Sequence, residues 1–295
     1  MENNVWPLSL RDNARQTLSL RDNARQSSEN FLGNSRGFLV DSHCHLDLLE
    51  QKGFNIDDVI ENAKINQVEI LQTIGTKITN FEEVYKYAEK YPNVFASIGV
   101  HPCNVEEEPK VIAEEIVQIC KAHTKIIGIG ETGLDYYHPG FVRKNQISSF
   151  IEHIKAARIT GKPLIIHTRD ADVDMMQILE DEMKNGQFKA LLHCFSSSKE
   201  LAFKAIDLGI FISISGIITF KNANVLQDIV KALPLEFLLV ETDAPYLAPM
   251  PNRGKINQPS YTKHTAEFLA DLKNVSFAEV CKITTNNFFR LFIPS

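Results

Sequence analysis

Two histidines one residue apart, His43 and His45, close the short apolar run Phe38-Leu39-Val40-Asp41. A strand has a period of two, so the two imidazoles share one face while Cys44 points to the other. Neutral imidazoles side by side can ligate a divalent cation without a loop wrapping round it. Alone, His-x-His is a common accident of cores and surfaces. It gains weight because Glu131, His167, His193 and Asp243 each stand at or just past the end of another short apolar run, with His101 close by. Singly, each reads as an ordinary core residue; together they repeat one pattern. Four histidines, one Asp and one Glu form a mixed donor set that suits zinc or manganese better than a pure oxygen set would. Six donors are too many for one tetrahedral ion. They suffice for two ions about 3.5 to 4 Å apart that share a bridging carboxylate.

The elements that must position these residues are legible in the alternation of the chain. From residue 37 onward, apolar β-rich runs fall at 38–41, 69–74, 94–100, 125–130, 163–167, 190–193, 210–215 and 237–241. Amphipathic helical-period segments such as 57–66, 81–90, 109–123, 142–160 and 172–184 lie between them. Such alternation predicts a parallel sheet. Eight units over residues 37–295 match a TIM-type (β/α)8 barrel, whose usual length is about 250 residues. An open doubly wound sheet is the alternative, but no Gly-x-Gly-x-x-Gly follows the first strand. In a barrel the C-terminal strand ends converge on one mouth. His43, His45, Glu131, His167, His193 and Asp243 would meet there.

Composition bounds the rest. The chain has 295 residues, is 44% hydrophobic and 23% charged, and carries a net charge of -6, which argues against a broad basic surface for coating duplex DNA. Bound cations would still reverse the potential inside a carboxylate-lined cleft. No run approaches the roughly 20 apolar residues of a membrane span, and the first thirty residues lack a secretory h-region. A cytoplasmic, monomeric protein is the expectation. The five scattered cysteines form no Cys-x-x-Cys pair and read as reduced, mostly buried thiols. Residues 1–36 differ from the rest: the nine residues 8–16 recur unchanged as 18–26, which predicts a flexible extension ahead of a domain spanning 37–295. Arg11, Arg15, Arg21 and Arg25 would suit a transit peptide, but Glu2, Asp12, Asp22 and Glu29 count against one.

Six ordered motifs carry a resemblance to a known family. They are Asp41-Ser42-His43-Cys44-His45-Leu46-Asp47, Gly99-Val100-His101-Pro102, Gly130-Glu131-Thr132-Gly133-Leu134-Asp135-Tyr136-Tyr137, His167-Thr168-Arg169-Asp170-Ala171, His193-Cys194-Phe195-Ser196 and Glu241-Thr242-Asp243-Ala244-Pro245. On these the chain resembles the TatD family of metal-dependent deoxyribonucleases, over essentially residues 38–295. The resemblance implies two divalent ions, whether magnesium, manganese or zinc. His43, His45 and Asp243 would hold one, His167 and His193 the other, and Glu131 would bridge. It also implies a hydrolase that removes nucleotides from single-stranded or frayed DNA ends.

Roles follow for the remaining residues. Asp243 is the expected acceptor of the attacking water's proton. His101 is expected on the scissile phosphate, against a structural loop role. Arg169 is expected to clamp a phosphate through its planar fork, against a plain salt bridge to Asp170 or Asp172. Arg253 and Lys255 would add phosphate contacts, although Ile256 stands where the family usually has another basic residue. Ser197 replaces a common glycine, which a turn tolerates unless φ is positive. A second reading is an amidohydrolase cleaving a C-N or ester bond of a small molecule. Related two-metal barrels often bridge with a modified lysine after strand four, and here Glu131 holds that place. A third, a binding barrel without chemistry, is opposed by the complete ligand set.

Overall fold

The computed structural model describes residues 37–293, so the predicted extension and its duplicated segment lie outside the described residues. Eight strands run in order and in parallel: β1 (Leu39–Cys44), β2 (Val68–Thr73), β3 (Val94–Ile98), β4 (Ile126–Asp135), β5 (Leu164–Arg169), β6 (Ala190–Leu192), β7 (Phe211–Ile214) and β8 (Leu238–Val240). Helices Ile56–Ile65, Phe81–Lys90, Ala113–Ala122, Arg143–Thr160, Asp172–Asn185, Lys199–Asp207 and Asn224–Ala232 fill the crossovers. Their ends obey local chemistry: the Asn55 and Ser198 side chains accept N–H bonds in the first turns of two of them. This is the expected TIM-type (β/α)8 barrel.

Burial divides the apolar residues into two layers. Every strand sends at least one side chain into an inner cluster, including Val40, Ile70, Phe95, Ile127, Ile165, Leu191, Phe211 and Leu239. Phe288, Leu291 and Phe292 of the last helix, Phe277–Phe292, join that cluster and so plug the barrel interior. The larger cluster, with Leu39, Cys44, Leu71 and Ile98, packs the outer strand faces against the helices.

β1 departs from strict alternation in one place that matters. Val40 faces inward and Leu39 outward, a parity that would send His43 outward with Leu39. The β1–β2 register slips between Asp41 and Cys44. After the slip His43 and His45 face the mouth together, and Cys44 turns into the outer layer, as the spacing of the pair predicts.

The barrel closes at the β1/β8 seam with a single bridge, Cys44 to Ala244, rather than a full ladder. Side chains and loop backbone complete it. The Asp41 carboxylate accepts from the Thr242 N–H at 2.9 Å and the Thr242 hydroxyl at 2.6 Å, and the Asp243 N–H donates to the His43 carbonyl at 2.9 Å. That last bond sets Asp243 beside the histidine pair.

The most informative difference from the sequence reading is β4. The apolar run 125–130 suggests a strand ending at residue 130, yet β4 runs on to Asp135, so Glu131 lies within the strand and not beyond it. Gly130 and Gly133 have φ of +132° and +138°, which L side chains rarely adopt. A Cβ on Gly133 would lie 2.0 Å from the His167 carbonyl oxygen. The glycines let β4 continue hard against β5. Ser197 is not among the positive-φ residues, so glycine is not required there.

Candidate metal centre

Glu131 is the hub of the mouth and is 3% exposed. Its Oε1 lies 2.6 Å from His193 Nε2, 3.0 Å from His167 Nδ1 and 3.4 Å from His101 Nε2. Its Oε2 lies 3.4 Å from His43 Nε2 and 4.0 Å from His45 Nε2. Asp243 Oδ1 faces the same pair at 3.6 and 3.5 Å. The His193 ring stacks on His43 with centroids 3.9 Å apart. All six expected donors are therefore brought together, and His101 reaches the same carboxylate.

The outer nitrogens decide which atoms face inward. His45 Nδ1 pairs with the Ile74 carbonyl at 3.3 Å, His167 Nε2 with Asp135 Oδ2 at 3.0 Å, and His193 Nδ1 with Glu241 Oε1 at 3.4 Å. Carbonyls and carboxylates only accept, so each of those nitrogens carries the proton. In a neutral ring the opposite nitrogen turns a lone pair toward Glu131, ready for a cation; with no cation, His167 Nδ1 carries a second proton and bonds Glu131 Oε1 at 3.0 Å. Buried His43 Nδ1 and Nε2 and His193 Nε2 have no hydrogen-bond partner of acceptable geometry among the described residues, though carboxylate oxygens crowd them. Buried unpaired polar atoms are costly, and lone pairs converging on carboxylates are stable only around a cation or protons. The donor set fits divalent metal ions on this ground.

His101 differs. Its Nδ1 accepts the Cys103 N–H at 3.1 Å, and burial pushes its pKa down to about 3. A neutral ring with an accepting Nδ1 carries its proton on Nε2. His101 therefore offers the centre a hydrogen-bond donor and not a lone pair.

The acids are held ionised. Burial alone would raise Glu131, but the His193 charge and the bond from His167 hold it well below the usual carboxylate range. Burial likewise opposes ionisation of Asp243, and the His45 bond with the His43 and His193 charges outweighs it.

Asp135 and Glu241, absent from the expected donor set, hold the outer nitrogens of His167 and His193. Both lie inside quoted motifs, Asp135 four residues after Glu131 and Glu241 two before Asp243, and that placement is the signal that could have found them. The Ser213 hydroxyl donates to Glu241, fixing it in turn. Such carboxylates orient ligating histidines and raise their basicity. Asp135→Asn and Glu241→Gln should each weaken metal binding by about 10- to 100-fold; isothermal titration with manganese measures it, and unchanged affinity in both variants would remove the role.

Asn257, also unforeseen, is fully buried in the loop after β8. Its Nδ2 donates to the Thr242 and Tyr246 carbonyls at 2.8 and 2.6 Å, which fastens the segment carrying Asp243. Asn257→Ala leaves the buried Thr242 carbonyl without this donor, a cost of about 1 to 3 kcal/mol, and removes the part-buried bond to Tyr246 as well. Thermal melts should show a loss of several degrees.

The basic residues divide. Arg169 does not pair with Asp170 or Asp172; its guanidinium stacks over the Tyr137 ring at 3.8 Å and lines a cleft of about 610 Å³ walled by the segments that follow His167 and His193. Arg143 lies over Tyr136 at 4.0 Å in the same cleft. Arg253 stacks on Phe220 at 4.5 Å, and Lys255 bonds Asn252 within the β8 loop. Among the described residues neither makes an ion pair or hydrogen bond with the centre.

A (β/α)8 barrel whose strand ends converge histidines and carboxylates on a buried acid is the framework of a metal-dependent hydrolase. A model of the family described as TatD related DNase matches residues 40–293. The chain belongs to that family and is a TatD-type metal-dependent hydrolase, consistent with an enzyme acting on ester bonds. It is 43% identical over 257 residues to the uncharacterized metal-dependent hydrolase YcfH of Escherichia coli (strain K12), covering 86% of this chain and 96% of that protein. The corresponding figures for YabD of Bacillus subtilis (strain 168), bearing the same description, are 38%, 86% and 98%. The crystal structure of YJJV, a TatD homologue from Escherichia coli K12, superposes with a TM-score of 0.80 at 28% identity, covering 86% of this chain and 97% of that one. Among the described residues no helix is long and apolar enough to cross a membrane.

Proposed function

We propose that the protein hydrolyses phosphodiester bonds of DNA, taking nucleotides from single-stranded or frayed ends with the help of two divalent ions. The observation that carries the reading is the division of Glu131, with Oε1 facing His193, His167 and His101 and Oε2 facing His43 and His45. One carboxylate with a separate nitrogen set on each oxygen is the geometry of a bridge. His43, His45 and Asp243 would hold one ion, His167 and His193 the other, and Glu131 both. Bound there, the ions supply Lewis-acid activation of water and neutralisation of phosphoryl charge.

The chain's own groups do the rest. Asp243, whose side chain is 15% exposed against 4% for Glu131, is the ionised carboxylate more open to solvent and accepts the proton of the attacking water. His101 donates its Nε2 proton to a non-bridging phosphate oxygen. Arg169, pre-oriented on Tyr137, clamps a neighbouring phosphate, and the exposed tyrosine ring offers a stacking face to a base. The family's description as DNases supports a nucleic-acid substrate, and the lack of a broad basic face supports a strand end over long duplex.

Release of nucleotides from single-stranded DNA, double-stranded DNA and RNA, and turnover of a generic phosphodiester and a cyclic amide, should be compared with added magnesium, manganese or zinc. Nucleotide release from single-stranded DNA is the expected leading activity. Arg169→Ala should raise KM about tenfold with a smaller change in kcat, as loss of one charge-assisted contact implies. Turnover of the cyclic amide and not of DNA would replace this reading with the small-molecule amidohydrolase.

A further inference from the structure

We propose that Cys103, Asp135 and His138 form a third cation site, separate from the Glu131 centre and selective for a soft or borderline metal such as zinc. The three come from different elements. Cys103 sits in the short turn Pro102–Asn104 after β3, Asp135 ends β4, and His138 lies in the loop beyond it. Cys103 Sγ is 3.7 Å from His138 Nδ1, and His138 Nδ1 is 2.9 Å from Asp135 Oδ2. The three donor atoms lie within 4.8 Å of one another.

These spacings are near the edges of a zinc tetrahedron. Bonds of about 2.3 Å to sulfur and 2.0 to 2.1 Å to nitrogen put the two donors about 3.5 Å apart, and nitrogen and oxygen about 3.3 Å apart. Those two edges, observed at 3.7 and 2.9 Å, need a few tenths of an ångström of adjustment, and the sulfur-to-oxygen edge lies within 4.8 Å. The Asp135 carboxylate is already fixed, since its Oδ1 accepts the Tyr137 and His138 N–H groups at 3.0 Å each. Cys103 is half-buried and the His138 side chain is 46% exposed, so an ion can reach the site from solvent. Three protein donors leave a fourth position for water.

The chemistry balances without a further reactant. A cation takes the place of the proton between His138 Nδ1 and Asp135 Oδ2, the neutral His138 ring passes that one proton through solvent to its Nε2, and the thiol proton goes to solvent as the sulfur becomes a thiolate ligand. Thiolate favours zinc over magnesium or manganese, which separates this site from the nitrogen and oxygen donors around Glu131. Asp135 Oδ2 also holds His167 Nε2 at 3.0 Å, so the two sites share one carboxylate.

Cobalt(II) is the probe, because a thiolate ligand gives a near-ultraviolet sulfur-to-cobalt charge-transfer band that the Glu131 centre, lacking sulfur donors, cannot give. The full chain, stripped with chelator, is titrated with cobalt while absorbance and bound metal are followed. The expected result is the band in the wild type, and in Cys103→Ser no band, one cobalt fewer per chain and unchanged weaker d–d bands from the Glu131 centre. His138→Gln, at a half-exposed side chain, should weaken the band-forming step by at least about tenfold, and serves if Cys103→Ser does not fold. Absence of the band in wild type, or its persistence at full strength in Cys103→Ser or His138→Gln, would overturn the site. Failure of the Glu131 centre to bind cobalt would leave Cys103→Ser without d–d bands while the wild type keeps its charge-transfer band, so the two outcomes are distinct.

Discussion

Glu131→Gln is expected to lower kcat/KM by at least about 10³-fold, equivalent to roughly 4 kcal/mol of transition-state stabilisation. The substitution keeps the shape of the side chain and removes its charge. The Glu131 Oε1 position faces three histidine nitrogens and the Oε2 position two, and an amide places an N–H₂ donor on one of them. A donor nitrogen cannot ligate a cation. Whichever way the amide turns, one side of the bridge is lost, and Asp243 is left as the one anion contacting the His43 and His45 pair. Metal analysis of the purified variant should show the shortfall beside the kinetics, and a variant with full metal content and wild-type kcat/KM would show that Glu131 is not the bridge. Circular dichroism should remain that of the wild type, since the amide fits the same space.

Gly133→Ala should do comparable damage by a different route. The added Cβ would lie 2.0 Å from the oxygen and 3.0 Å from the carbon of the His167 peptide, so backbone must move. The φ of +138° adds strain of its own. Together these are worth about 3 to 5 kcal/mol, or roughly a 10 °C fall in melting temperature for a domain of this size. The displaced strand is the one that carries His167, so metal affinity should fall with stability. Gly140→Ala is the matched control: φ is +95° and nothing lies within 4 Å of the added Cβ, so only the backbone term of about 1 kcal/mol applies. Equal melting temperatures for the two variants would show that the close approach of β4 to β5 is not what Gly133 provides.

Much of the centre was legible because metal chemistry limits residue types. Histidine and carboxylate at the ends of successive apolar runs is a pattern that period and composition expose, and His43, His45, Glu131, His167, His193 and Asp243 do converge. What lay around them was harder to read. Asp135 and Glu241 have the residue type of a ligand, yet their role is to accept a histidine proton, a distinction that depends on which ring nitrogen faces them. Arg169 has two acidic neighbours in sequence, yet its guanidinium lies on Tyr137, a ring that the fold brings to it from the loop after the neighbouring strand.

By itself the sequence determined the eight-unit barrel, the ring of metal-ligating types and the family, since these rest on short-range periodicity and residue chemistry. Tertiary structure decided where β4 ends, how the β1 slip turns His43 inward, which tautomer each histidine takes, and that Cys103 meets His138. Those four outcomes depend on backbone register and on contacts between residues distant in sequence, and neither is encoded in the spacing along one strand.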